Sequence, residues 1–198
     1  MTALHTIDGT ISLNDLPVSA LTPDGLGDTL AKINRFAGRT PLPWPVSAHS
    51  VVVSRLCPDP QDKAWALLHD AHEAFIGDII TPAVEFIARQ TEYRHTINQS
   101  VRCAKHHLDR QIAAAWGVEP RWTSKDVAFF DWIALQAEKA VFFDVEHERD
   151  PQGHIERAVN LIIELQDAGD WRFFRRLWIE EAVHLASAGL LTLPKIET

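Results

Sequence analysis

The segment from Ala64 to Glu73 limits the possible folds of this chain most strongly, because its apolar residues run directly into His69 and Asp70. If the segment is helical, Glu73 lies four residues after His69 and three after Asp70, so the three side chains project to one side. The neighbouring Trp65 indicates burial, and a buried carboxylate without a partner is costly. The segment therefore predicts a core helix whose polar side chains meet a cation or a compensating network.

Composition narrows the class of protein. The chain has 198 residues, 46% hydrophobic and 23% charged, which is typical of one soluble globular domain spanning 1–198. The net charge of −8 argues against a surface that coats nucleic acid. We see no apolar run of about 18 residues and no secretory signal, so we expect no membrane association. The two cysteines suit a reducing compartment, and we expect a cytoplasmic location.

Local patterns predict an all-α fold with a small N-terminal β-hairpin. The hairpin spans residues 4 to 13, with Asp8-Gly9 as its turn. We predict helices over 23 to about 36, 48–57 (capped by Ser47), 61–76 (ended by Gly77), a short stretch from Thr81, 91–116 (closed by Gly117), Thr123 or Ser124 to about Asp144, 152–167 and 171–188. These lengths and short connections predict a compact single-domain helical bundle.

Two further residues are candidate metal ligands because they interrupt apolar helical stretches. His49 precedes three valines, and Asp131 lies between Phe130 and Trp132. Taken alone, His49 could be a core histidine with its hydrogen bonds satisfied, and Asp131 could pair with a buried arginine. Beside His69 and Asp70, we interpret both as ligands. Two imidazoles and two carboxylates would suit a divalent ion such as Mn, Co, Ni, Fe, Zn or Mg better than they suit a closed thiolate zinc site.

Other polar residues near these motifs are candidates for proton transfer and phosphate binding. Glu73 could move a proton, although an exposed helix carboxylate would look the same. Asp78, just after Gly77, could position water or protonate a leaving oxygen, or could be a plain loop carboxylate. Arg35 could bind a phosphate, although a surface salt bridge is the commoner fate of an arginine. We interpret His72 as a residue behind the ligands or partly exposed.

Several separated motifs, in this order, resemble the HD-domain metal-dependent phosphohydrolases. The resemblance is strongest to the branch that includes bacterial 5′-deoxynucleotidases and related bacterial and phage nucleotide phosphohydrolases. It covers roughly residues 25–140 as its motif core. The matching stretches are Ile33-Asn34-Arg35-Phe36, Val46-Ser47-Ala48-His49-Ser50, the run from Leu67 to Asp78, Thr81-Pro82 and Asp131.

This resemblance implies a role for each matching residue. It implies a helical bundle, often homodimeric, that removes phosphate from nucleotides with a divalent ion. The implied partners are therefore a small nucleotide substrate and a second copy of the chain, with no nucleic acid. The implied roles are metal ligands for His49, His69, Asp70 and Asp131, an acidic catalytic pair for Glu73 and Asp78, a phosphate contact for Arg35, and packing near the base or sugar for Phe36.

The chain departs from the branch at two positions. Val84 stands two residues after Pro82, and Ala128 stands three before Asp131, where the branch commonly has lysines that hold phosphate. Lys125, one helical turn before Ala128, is a candidate replacement.

Three hypotheses follow from the sequence. The first is a phosphohydrolase acting on nucleotides, with deoxynucleoside mono- or triphosphates expected as substrates. The second is an HD-fold enzyme with a different phosphoester or an oxidative substrate; the oxidative case would need a second metal, for which His72 and Glu73 are the nearby ligands. The third is a domain that binds metal and nucleotide without turnover, which the two missing lysines would favour.

Overall fold

The computed structural model describes residues 3–6, 9–147, 150–166 and 169–196. The predicted all-α fold with a small N-terminal hairpin is confirmed. In chain order the elements are β1 Ala3–Thr6, β2 Gly9–Ser12, α1 Val18–Leu21, α2 Pro23–Leu30, a 3-10 turn Phe36–Gly38, α3 Val46–Leu56, α4 Pro60–Leu68, α5 Glu73–Ile76, α6 Thr81–Arg89, α7 Arg94–Trp116, α8 Lys125–Phe143, α9 His154–Gln166 and α10 Trp171–Ser187.

The two strands form an antiparallel ribbon in which Leu4 pairs with Ile11 and Thr6 pairs with Gly9. The predicted turn at Asp8-Gly9 falls partly outside the described residues, since Asp8 is not among them. Leu4 and Ile11, one from each strand, pack the ribbon against the hydrophobic core.

Helix α3 is the centre of the bundle. It contacts α2, α4, α8, α9 and α10, and Arg55 is its only residue that is not buried. Three tryptophans fill the surrounding core with no or almost no exposure: Trp44, Trp116 and Trp178. A polar group on a helix enclosed this completely costs free energy unless it finds a partner, so the buried His49 on α3 marks a specialised region. In the described part of the chain, no helix is long and apolar enough to cross a membrane.

The predicted helix from 23 to about 36 is wrong in its second half, because α2 ends at Leu30. The chain then forms a strand-like bridge, in which the Arg35 backbone N–H donates to the Trp44 carbonyl at 2.9 Å. Phe36 and Ala37 follow with φ of 55° and 52°, which a continuing right-handed helix does not allow. Arg35 therefore lies in an extended segment instead of a helix, and its side chain reaches into the bundle.

The predicted helix over 61–76 is interrupted at residues 69–72. The backbone tightens there, with Ala71 N–H bonded to Leu68 O at 2.9 Å and Glu73 N–H bonded to Asp70 O at 3.0 Å. These three-residue spacings are those of a 3-10 turn, which often marks the end of an α-helix. The turn still places Asp70 and Glu73 close together, and Gly77, with φ of 76°, ends α5 as predicted.

The predicted cap at Ser47 is also wrong. Helix α3 begins at Val46, two residues before the predicted start, after Pro45 in extended conformation, and no side chain caps it. Ser47 lies inside the helix, fully buried, and its Oγ has no hydrogen-bond partner among the described residues.

The remaining predicted helix boundaries agree with the structure to within three residues, the largest difference being the start of α7 at Arg94 rather than at residue 91. Gly117, with φ of 63°, closes α7, and the Ser124 side chain caps α8 by accepting from Val127 N–H at 3.2 Å. Helix α9 begins two residues later than predicted and is described to Gln166, so the predicted end at residue 167 lies outside the described residues.

We expect Asp59→Ala to lower the free energy of unfolding by about 1 kcal/mol, because Asp59 caps the helix that leads into His69. Its carboxylate accepts from the backbone N–H groups of Gln61 at 2.7 Å and Asp62 at 3.3 Å. Asp59→Asn, which keeps the accepting oxygen, is the matched control and should unfold within a few tenths of a kcal/mol of the native protein. Urea denaturation would measure both, and equal losses in the two variants would contradict the capping role.

Candidate metal centre

The imidazole of His49 is oriented by a carboxylate behind it. His49 is fully buried on α3, and its Nδ1 lies 2.8 Å from Glu138 Oε1. Since a carboxylate only accepts, Nδ1 carries the proton, and in the neutral ring Nε2 presents a lone pair. That Nε2 lies 3.0 Å from Asp131 Oδ1 and 3.8 Å from Asp70 Oδ2. The ring is therefore held so that its free nitrogen faces two carboxylates.

His69 is oriented in the same way by a backbone carbonyl. Its Nδ1 donates to Ala66 O at 2.6 Å, within the last turn of α4. Its Nε2 then lies 3.2 Å from Asp70 Oδ2 and 3.8 Å from Asp131 Oδ1. This nitrogen is buried and has no well-formed hydrogen bond to any described residue. Two imidazoles, each fixed from its outer side, thus direct Nε2 toward the same pair of carboxylates.

The four predicted ligands come together in space. One donor atom from each of His49, His69 and Asp70 lies within 4.8 Å of the other two, and this buried group could hold a metal ion. Asp131 reaches both imidazoles from α8 but is outside that compact set, and its side chain is 45% exposed. Metal-binding histidines typically have this arrangement, with one nitrogen donating to a carbonyl or carboxylate and the other left for the ion. The donor set fits a divalent cation that accepts nitrogen and oxygen.

The electrostatics of this group favour positive charge. Burial opposes the charged form of His69, but the charges and contacts of Asp70 and Asp131 together outweigh it and raise the pKa of His69 well above its ordinary value. Burial also opposes ionisation of Asp70, yet His69 holds the pKa of Asp70 well below its usual range. A field that keeps a proton on this imidazole also attracts a metal cation, which would compete with that proton.

Glu138 is a residue of this site that the sequence reasoning missed. It is fully buried, and it accepts from Arg35 Nη2 at 3.0 Å, from Trp44 Nε1 at 2.7 Å and from His49. Although burial opposes ionisation, the charge of Arg35 helps to lower the pKa of Glu138. The overlooked signal was spacing, since Glu138 follows Asp131 by seven residues, two helical turns, on the same face of α8.

Arg35 and Phe36 lie beside the centre. Arg35 makes two hydrogen bonds to Glu138 Oε2, and its Nη1 lies 3.8 Å from Asp70 Oδ2. The Phe36 ring packs edge-on against Phe143, with ring centroids 5.0 Å apart. The structure thus brings Arg35 to the predicted ligands and gives it a buried partner, while Phe36 belongs to the neighbouring aromatic pair.

The predicted acidic pair lies near Asp70. Glu73 is 3% exposed, and burial together with the charge of Asp70 raises the pKa of Glu73 to about 9. Asp78 is partly buried after Gly77, and burial raises its pKa against the opposing charge of Arg35. Glu73 is therefore not the exposed helix carboxylate that the sequence left open.

A cavity of about 480 Å³ opens beside the centre, between α6, α7 and α8. His69 and Asp131 form part of its wall, and the two positions where lysine was expected, Val84 and Ala128, also line it. The cations Arg102 and Lys105 line the same cavity from α7, whereas Lys125 does not, which makes Lys125 a poor replacement. The sequence analysis did not identify the α7 cations, because nothing local relates α7 to the metal motifs.

Comparison of the chain with models of known protein families and with curated proteins finds no match. The interpretation of the centre therefore depends on its residues and their geometry, and the family resemblance stays a prediction.

We expect Glu138→Ala to lower the free energy of unfolding by about 3–5 kcal/mol, because it leaves the buried Arg35 without its carboxylate. Glu164→Ala, at an exposed position of α9, is the control and should change stability by less than about 0.5 kcal/mol. Chemical denaturation would measure both. A loss for Glu138→Ala no larger than that of the control would show that the buried network is not needed for folding.

Proposed function

We propose that this protein is a metal-dependent phosphohydrolase that acts on nucleotides. The observation that carries the proposal is the pair of imidazoles at His49 and His69, each fixed through Nδ1 so that Nε2 faces Asp70 and Asp131. The order of these residues along the chain agrees with the HD-domain resemblance.

His49, His69, Asp70 and Asp131 would hold the ion. A divalent ion bound there would lower the pKa of water and stabilise negative charge on a phosphoryl group. Asp131 is the most exposed of the four, so it lies where the centre meets the cavity. The ligands would thus present an ion at the inner wall of a space open to a substrate.

The cavity wall offers cations that can bind a phosphate: Arg102, Lys105 and Arg121 line it together with the carboxylates Glu85, Asp109 and Asp131. Lys105 and Arg102 are three residues apart on α7, so both side chains project to the same side of that helix. They supply positive charge that the branch commonly takes from lysines at the positions of Val84 and Ala128. We assign Lys105 and Arg102 to hold the phosphate of the substrate.

The remaining polar residues handle protons and charge. Glu73 and Asp78 lie near Asp70 and would move protons to and from the reacting water and the leaving oxygen. Arg35 keeps the buried Glu138 paired and adds positive charge near Asp70.

A domain that binds metal and nucleotide without turnover is the second candidate. The apolar Val84 and Ala128 at the cavity wall favour it, because they cannot hold or polarise a phosphate. Binding without product would distinguish this candidate from the enzyme.

We expect the native protein loaded with Mn²⁺ or Co²⁺ to release product from at least one member of a panel of ribo- and deoxynucleoside mono-, di- and triphosphates. Asp70→Ala should lose this activity, because it removes the metal ligand that lies beside both imidazoles. Asp126→Ala, at an exposed position in the first turn of α8, is the matched control and should retain it. Chromatography of the products would identify phosphate, pyrophosphate or triphosphate and so the bond that is cut.

Absence of turnover for every nucleotide of the panel, with metal bound, would overturn the proposal of a hydrolase. If nucleotide then bound in equilibrium dialysis, the second candidate would replace it. Activity that persists in Asp70→Ala would show that the reaction does not use this centre.

For an active nucleotide, we expect Lys105→Ala to raise KM by about 10- to 100-fold, because a hydrogen bond to a charged group contributes about 1.5–3 kcal/mol. Lys125→Ala removes the same side chain from an exposed position outside the cavity and should leave KM within about two-fold, as for surface substitutions generally. Steady-state kinetics would measure both. Equal effects in the two variants would mean that the α7 side of the cavity does not hold the phosphate.

A further inference from the structure

A second group of donor atoms lies next to the first and shares Asp70 with it. One atom from each of Asp70, His72 and Glu73 lies within 4.8 Å of the other two. His72 is 4% exposed and Glu73 3%, so of the two alternatives left open for His72, the partly exposed one is wrong. All three residues lie in the tight turn between α4 and α5 or at its end.

The His72 ring is oriented from α7. Its Nδ1 lies 2.9 Å from Asp109 Oδ1, and the other oxygen of Asp109 accepts from Trp122 Nε1 at 2.9 Å. Asp109 is 3% exposed and was not singled out in the sequence. Because its carboxylate only accepts, Nδ1 of His72 carries the proton and the neutral ring presents Nε2 as a lone pair. This chain of tryptophan, aspartate and histidine has the form of the outer contacts that orient metal-binding imidazoles.

Two buried atoms of this group have no protein hydrogen-bond partner among the described residues. They are His72 Nε2 and Glu73 Oε2. Leaving either atom unpaired in the interior costs about 1–3 kcal/mol. With both carboxylates ionised, this imidazole lone pair and the carboxylate oxygens are all acceptors, so they can satisfy one another only through a shared proton or a bound cation.

We propose that Asp70, His72 and Glu73 form a second divalent-cation site adjoining the site of His49 and His69. The nitrogen and oxygen donors would suit Mn²⁺, Fe²⁺, Co²⁺ or Zn²⁺. Pairs of ions in two-metal phosphoryl-transfer sites lie about 3.5–4 Å apart, and a carboxylate common to both donor groups suits such a spacing. The inference rests on the donor geometry, and it deepens the proposed function by giving that centre two ions.

The second site changes the role expected of Glu73. With an ion bound, Glu73 is a ligand, and proton transfer falls to Asp78, which lies closer to the surface. The sharing of Asp70 also means that loss of that residue removes a ligand from both ions. Loss of His72 removes one from the second ion alone.

Titration of chelator-treated protein with Mn²⁺ would test the proposal. We expect the native protein to bind two Mn²⁺ per chain by elemental analysis, with an exchange-coupled signal in electron paramagnetic resonance. His72→Gln should bind one, with an uncoupled signal. His107→Gln is the matched control, because His107 on α7 also has a buried Nε2 without a partner among the described residues but does not belong to either donor group. It should still bind two.

Asp109→Asn is a second test variant in case His72→Gln does not fold, since it keeps the His72 ring and the shape of the pocket. It should weaken binding of the second Mn²⁺ by about 10- to 100-fold and leave the affinity for the first unchanged. Native protein that saturates at one Mn²⁺, or a His72→Gln variant that still binds a coupled pair, would overturn the second site. Nucleotide turnover measured with a single bound ion would leave the proposed hydrolase intact, so the two proposals can fail separately.

Discussion

The buried carboxylate of Glu138 is the interaction on which the candidate centre depends. It joins three parts of the chain to α8: the extended segment at Arg35, the indole of Trp44 and the ring of His49 on α3. A buried carboxylate is stable only when donors surround it, so these contacts hold the segments in one arrangement. The same contact that satisfies Glu138 sets which nitrogen of His49 faces the neighbouring acids. The contact of Glu138 with His49 therefore both packs the core and orients a candidate metal ligand.

On the other side of the His49 ring, by contrast, buried hydrogen-bonding atoms lack partners in the described part of the chain. Asp70 lies among side chains of His49, His69, His72 and Glu73, and two of the ring nitrogens and one carboxylate oxygen there lack hydrogen-bond partners within the described residues. Such an arrangement is costly by itself and becomes favourable when a cation binds. Metal binding would thus add to the free energy of unfolding as well as supply chemistry, as expected for any ligand that binds only the folded state.

Sequence patterns predicted the features that local residues determine. The stop at Gly117 appears where expected, and Ser124 is the cap of the two that were predicted, because capping depends on a few adjacent residues. The helix through Arg35 was wrong, since a backbone bridge to a segment nine residues away overrode the local preference. Glu138 and Asp109 were missed because a lone helix carboxylate in sequence looks like a surface residue. Only the three-dimensional structure shows that each lies behind a histidine.

Anomalous diffraction from crystals of the Mn²⁺-loaded protein tests the central claim most directly. The account predicts a manganese peak bound by the Nε2 atoms of His49 and His69 and by an oxygen of Asp70, with both Nδ1 atoms kept on their present acceptors. Manganese peaks only at surface carboxylates, with the two Nε2 atoms donating hydrogen bonds to Asp70 and Asp131, would contradict it. In that case the cluster would be a buried ion-pair network that stabilises the fold.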